Sequence, residues 1–204
     1  TYYLTAKAIL LSVFIVPMTL GIPFPFAPIH IILIELLMDL ASTTIFVTEA
    51  AEPDVLKQPP KRIMEYLGHP ILWKILQNGV GLALGILAIY LSLYYQTRDV
   101  VMAQTAAFVT WLPGHIFLAL NLKQEKVSLL KQGVLSNRFG TFWLTSMTIL
   151  TLLVTNVSYV FPYAKTAPLT PMAWLEVLSV VLASTFWIEA KKLLSPRNKT
   201  SLSP

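Results

Sequence analysis

Cysteine is absent from all 204 residues. That excludes disulfides and thiolate metal sites, and it removes any redox signature of compartment. Charge is scarce too: Asp, Glu, Lys and Arg make up 12% of the chain, against about 25% in soluble domains. Also missing are the zinc-protease H-E-x-x-H, the nucleophile-elbow G-x-S-x-G, a phosphate-cradling glycine loop and any His/Asp cluster with metal-ligand spacing. A self-contained hydrolase or nucleotide-binding enzyme is thereby excluded from the readings the motifs support. The first residue is Thr1, and the chain is apolar from Tyr2 onward. With no charged leader segment or small-residue cleavage site, a signal peptide is not expected, and the start reads as the middle of a longer polypeptide. No internal repeat is visible.

Apolar residues fill the space left by the missing charges. They make up 55% of the chain, and the mean hydropathy is +0.66. They fall into six runs, Tyr2–Leu20, Ile29–Thr48, Ile71–Tyr95, Val100–Leu122, Phe139–Phe161 and Met172–Leu194. At 1.5 Å per residue, runs of about 20 residues match a hydrocarbon core of roughly 30 Å. Helices buried in soluble proteins are usually about half that length. Long unbroken runs without period-2 alternation argue against strands. The expected fold class is all-α, a polytopic membrane bundle of six transmembrane helices, occupying residues 1–194, with a polar cytosolic tail at 195–204.

The net charge of +5 does not point to nucleic acid, because the basic residues are neither in one block nor on one face. Their placement follows the loops. With the N-terminus in the cytosol and sides alternating, the cytosolic segments hold Lys57, Lys61, Arg62, Lys74, Lys123, Lys126, Lys131, Arg138, Lys191, Lys192, Arg197 and Lys199. Only Arg98 and Lys165 fall on the other side. Such a bias is the positive-inside pattern, and it places both termini in the cytosol. Tyr94, Tyr95, Trp143, Tyr159 and Tyr163 sit near the ends of the runs, where an aromatic belt belongs.

A charge at the centre of a membrane helix costs about 2.5–3.5 kcal/mol and needs a partner or a purpose. Glu35 and Asp39 lie mid-run, and their i, i+4 spacing puts them on one helical face. Two adjacent carboxylates must share a cation or a proton, or pair with a base. Ser42, Thr43 and Thr44 follow and add hydroxyl oxygens. Lys7, on the preceding run, either supplies the counter-charge or snorkels its ammonium to the cytosolic interface. His115 follows Pro113-Gly114, where a loosened helix frees carbonyls toward a cavity. It reads as a ligand, a proton carrier or a partner of the acidic pair, or else as a histidine satisfied by a nearby carbonyl. His30 and His69 read as structural, and Glu176 and Glu189 as facing headgroups.

The run from Ile34-Glu35-Leu36-Leu37-Met38-Asp39 through Thr48-Glu49-Ala50-Ala51-Glu52-Pro53-Asp54-Val55-Leu56-Lys57-Gln58-Pro59-Pro60-Lys61 resembles the sixth helix and following loop of P-type cation pumps of the calcium-pump-like class. There the helix reads approximately N-L-x-T-D and the loop E-x-x-x-x-D-x-M-x-x-P-P-R. Ala119-Leu120-Asn121 resembles the end of the eighth helix. The resemblance implies helices five to ten of a ten-helix pump, with Asp39 at the central cation-binding aspartate. It also implies departures. Glu35 stands where calcium pumps have asparagine, and Met38 where they have a threonine ligand. Lys7 and Leu10 stand at fifth-helix asparagine and glutamate ligands, and His115 at the eighth-helix glutamate. The calcium constellation is largely lost, since a hard divalent cation wants six to eight oxygens. The implied ion-binding set is Asp39, Glu35, Thr43 and His115, with Lys7 as a built-in counter-charge and a proton or monovalent cation as cargo. The family's D-K-T-G-T phosphorylation sequence is not in these residues, so no cofactor is expected in this piece. ATP and magnesium belong to the intact pump, and the expected partners are the cation, the lipid bilayer and the remaining pump domains, with no nucleic acid. A secondary transporter or a non-enzymatic membrane scaffold is the alternative, which an upstream D-K-T-G-T would decide against.

Overall fold

A computed structural model describes residues 1–39, 69–123 and 138–194. All secondary structure among them is helical. The elements are α1 (Tyr2–Thr19), α2 (Pro28–Leu33) with a π-helical continuation (Ile34–Asp39), α3 (His69–Thr97), α4 (Val100–Lys123), α5 (Arg138–Asn156), the short α6 (Phe161–Ala164) and α7 (Pro171–Leu194). Among the described residues, three helices are long and apolar enough to cross a membrane, over Tyr2–Thr19, Ile71–Thr97 and Val100–Leu122. Within α5 and α7, the described stretches Thr141–Asn156 and Pro171–Ser184 are apolar too. The far half of the second expected span, including Thr43, lies outside the described residues.

Local chemistry explains the helix ends. Beyond α1, Gly21 adopts φ +65°, and its N–H donates to the Met18 carbonyl while that of Ile22 reaches Pro17. This Schellman arrangement needs a left-handed residue, which glycine adopts without a Cβ penalty. Pro28 then opens α2 at its first position, where a missing N–H goes unnoticed. Between α3 and α4, Asp99 caps the new helix by accepting the Met102 N–H at 3.0 Å.

The fifth apolar run does not form one helix. α5 stops at Asn156, and Phe161–Ala164 forms a separate turn. The Thr166 hydroxyl donates to the Val154 carbonyl at 2.5 Å, satisfying one of the orphan acceptors at the end of α5. α3 begins at His69, two residues before the expected start of its run, so His69 opens a helix where a loop was expected.

α4 is the hub. It packs against α3, α7, α5 and α1, and α3 packs in turn against α1 and α7. On α3, Leu82, Ile86, Ile89, Tyr90 and Leu93 recur at helical spacing and face inward, while Leu72, Leu76, Val80 and Leu84 face out. The same inversion holds on α1, with Leu4, Leu11, Ile15 and Met18 outward, and on α7, with Met172, Leu175, Leu178 and Leu182 outward. Apolar patches of that extent on the exterior suit lipid, not water.

Small residues let the backbones approach. Gly81 and Gly85 form a G-x-x-x-G on α3, and a Cβ on either would press within 3.0 Å of α7 atoms at Ser184, Trp187 or Val180. Gly114 on α4 is tighter still: a Cβ there would lie 2.3 Å from Leu82 Cδ1. Leu82 is buried and has little room to move. Gly114→Val is therefore expected to destabilise the bundle by about 1–3 kcal/mol through overpacking. Adding Leu82→Ala should make the double variant lose less than the sum of the two single losses. Thermal unfolding in detergent measures both, and strict additivity would show that Gly114 and Leu82 do not compete for space.

Candidate ion-binding site

α1 and α2 are joined through the short proline-stiffened segment 20–27, which brings Lys7 and Glu35 together. The Lys7 ammonium donates to both carboxylate oxygens of Glu35. The Lys7 Nζ also lies 4.8 Å from the Tyr3 ring centroid, within cation–π range. The pair is half-buried, with side-chain exposures of 33% for Lys7 and 40% for Glu35. Lys7 thus has a carboxylate partner within the bundle.

Glu35 sits in the π-helical stretch that Asp39 ends. A π-turn closes i→i+5, and such insertions often mark functional segments. The expected i, i+4 geometry presumed an α-helix. With about one more residue per turn, four residues fall just short of a full turn instead of just past it, so the Cα atoms of Glu35 and Asp39 remain on one side. Among the described residues, no three of His, Asp and Glu converge as a metal site.

His115 stands on α4, a helix that also packs against the π-helical stretch of Glu35 and Asp39. It is fully buried on α4, hydrogen-bonded through Nε2 to the Tyr2 hydroxyl, and stacked on Trp111 with centroids 5.3 Å apart. Tyr2 and Lys7 are five residues apart on α1, about 140° around the helix, so His115 and Glu35 are engaged by different faces of α1. The expected opening at Pro113-Gly114 needs correction. α4 runs unbroken through both residues, and Leu82 fills the space beside Gly114.

His30 binds three elements together. Its Nδ1 accepts the Ala27 N–H at 3.3 Å, its Nε2 donates to the Ala164 carbonyl at 2.9 Å, and its ring stacks on Phe108 at 4.5 Å. A carbonyl can only accept, so the proton sits on Nε2, and the imidazole is neutral with Nδ1 as acceptor. Sequence reasoning missed Tyr2 as a partner of His115, since no local pattern links residues 113 positions apart. It also passed over Gly81-x-x-x-Gly85, whose small-residue spacing was readable.

Residues 23–194 match the family described as cation transporting ATPase, C-terminus. The chain belongs to this family. It is 23% identical over 194 residues to a calcium-transporting ATPase of Bacillus subtilis (strain 168), an alignment covering 94% of this chain and 22% of the relative. It is 26% identical over 208 residues to calcium-transporting ATPase 1 of Yarrowia lipolytica, covering 98% of this chain and 22% of the relative. The chain therefore spans about a fifth of the length of these curated relatives. Glu35, Asp39, Thr43 and His115 all fall inside the stretch matched to the cation-ATPase C-terminal family, whereas Lys7 precedes it. Family and apolar exterior agree on an integral membrane protein.

Proposed function

We propose that this chain is the ion-translocating membrane portion of a P-type cation pump, with six spans and both termini in the cytosol, in which Lys7 serves as a built-in counter-cation to Glu35. The observation that carries the reading is the contact of the Lys7 ammonium with both Glu35 oxygens. Asp39 is the central ligand, Glu35 is the switchable one, and Thr43 adds a hydroxyl. His115, bonded to Tyr2 through Nε2, ties α1 to α4 and completes the proposed ion-binding set. A resident ammonium beside the carboxylates disfavours a divalent ion and favours a proton or monovalent cation as cargo. ATP, with magnesium, is hydrolysed by domains outside these residues. Phosphorylation there selects between two arrangements of the bundle, and the difference in cation affinity between them supplies transport.

Two measurements on the intact pump test this together. ATP hydrolysis should respond to pH or to a monovalent cation and persist when calcium is chelated; strict dependence on calcium would overturn the cargo assignment. On a cysteine-free background, a cysteine at Lys61 or Lys126 should be shielded from an impermeant reagent added outside, and one at Arg98 should react. Outside labelling at Lys61 would overturn the six-span topology.

A further inference from the structure

His30 and His115 are both fully buried, and they are bonded in different ways. His30 is locked neutral: its Nδ1 accepts the Ala27 N–H and its Nε2 donates to the Ala164 carbonyl. Both partners are backbone groups, one a donor and one an acceptor, and neither can reverse its role. A second proton on that ring would set one N–H against another. His115 instead meets a hydroxyl, that of Tyr2, at its Nε2. A hydroxyl can turn either to donate or to accept. The His115 ring can therefore gain a proton and keep this bond, whichever nitrogen the proton joins.

The surroundings of His115 suit the charged ring. It lies within the apolar stretch Val100–Leu122, where a charge is costly unless something offsets it. Two contacts do so. With the imidazolium N–H donating to it, the Tyr2 oxygen makes a charge-assisted bond, stronger than the neutral one. The Trp111 ring lies over the imidazole, with centroids 5.3 Å apart and planes 24° from parallel. An indole face within about 6 Å is the best aromatic partner for a cation. Other charged and titratable groups stand on the elements packed against α4. Lys7 on α1 and Glu35 on the π-helical stretch are bonded to each other, Tyr90 on α3 to the Pro23 carbonyl, and Glu176 on α7 to Ser92. Lys74 stands in the second turn of α3, and Asp39 ends the π-helical stretch. Tyr2 is the titratable group that meets the ring.

We propose that His115 is a reversible proton-binding group, held ready by Tyr2 and Trp111, and that the cargo of the pump is the proton. Taking the proton forms an N–H bond on the ring at the cost of an O–H bond in the hydronium that delivers it, and nothing is oxidised or reduced. Hard metal cations take oxygen ligands, whereas an imidazole nitrogen holds a proton near neutral pH. His115 in the ion-binding set therefore selects the proton over sodium or potassium. Tyr2 and Trp111 are positioning residues, one turning its hydroxyl to the ring's protonation state and the other giving the charge an aromatic face. The choice of cargo rests on the pump reading given above; the proton site itself does not.

The test uses the intact pump carrying isotope-labelled histidine, followed by NMR from acid to alkaline pH without ATP. His115→Gln assigns the ring signals. His115 should convert reversibly between the neutral and the doubly protonated ring while the pump stays folded. His30 should stay neutral, with its proton on Nε2, over the same range. Tyr2→Phe keeps the ring, removes the hydroxyl and should weaken the hold of His115 on its proton by about tenfold. Trp111→Phe offers a weaker aromatic face and should weaken it by about threefold. Contacts that only hold the fold would lower the unfolding temperature and leave this titration where it was. A titration unmoved in both variants, a His115 that stays neutral throughout, or a His30 that charges alongside it would overturn the proposal. In ATP hydrolysis, the pH profile of Tyr2→Phe should shift with the His115 titration, and a sodium or potassium requirement in the wild type would overturn the proton as cargo. Because the titration needs no turnover, a His115 that titrates as described in a pump strictly dependent on calcium would sink the transport reading and leave the proton site standing.

Discussion

Asp39→Asn in the intact pump is expected to abolish cation-stimulated ATP hydrolysis while the protein still inserts and folds. Asparagine keeps the shape and one carbonyl oxygen of aspartate but removes the charge. In a membrane interior that charge is tolerated only when something neutralises it, and its cost of about 2.5–3.5 kcal/mol is the affinity reserve it offers a bound cation. Forfeiting even 2.7 kcal/mol in the step that follows cation binding slows turnover by about a hundredfold. Glu35→Gln should be milder on cation binding, because the Lys7 ammonium already occupies that carboxylate. The order Asp39→Asn worse than Glu35→Gln is therefore part of the expectation. ATP hydrolysis against cation concentration, with expression and unfolding temperature as controls, measures both. Wild-type stimulation in Asp39→Asn would remove Asp39 from the site.

Much of the architecture was legible because the constraints are local. Gly21 and Pro28 mark the end of α1 and the start of α2 by rules that involve only their neighbours. The contact between Lys7 and Glu35 was one of two open readings from the sequence, since a short connector forces their helices to be adjacent. What stayed hidden depends on tertiary partners. The apolar run through Phe161 gives no sign that α5 stops at Asn156, because a distant hydroxyl, that of Thr166, takes up a terminal carbonyl. Pro113-Gly114 looked like a loosened segment, yet the residue that fills it, Leu82, comes from another helix. The π-helical turn at Glu35 has no compositional signature either, since it arises from how the backbone is held and not from which residues form it.

Lys7→Ala tests the counter-cation, and its outcome depends on which solvent the pair experiences. With a third or more of each side chain exposed, the pair in water would be worth at most ~1 kcal/mol. In a bilayer, a lone charge near the helix centre costs about 2.5–3.5 kcal/mol, so leaving Glu35 without its ammonium matters more than the contact itself. Three outcomes can relieve that charge, and they differ in their readouts. Glu35 can take a proton, which would shift the pH profile of ATP hydrolysis. It can recruit sodium or potassium, which would create a monovalent-cation requirement absent from the wild type. Or the bundle can become unstable, lowering the unfolding temperature. Lys7→Ala is expected to produce one of the first two, with turnover reduced at least tenfold in their absence. Glu35→Gln strands the ammonium instead, and the double variant Lys7→Ala/Glu35→Gln carries neither charge. Its stability should exceed what the two single losses predict by addition, since each single change leaves an unmatched charge and the pair of changes does not. Unchanged pH profile, unchanged ion requirement and additive stabilities would together mean that Lys7 touches Glu35 without serving it, and that its ammonium is held by the headgroup region.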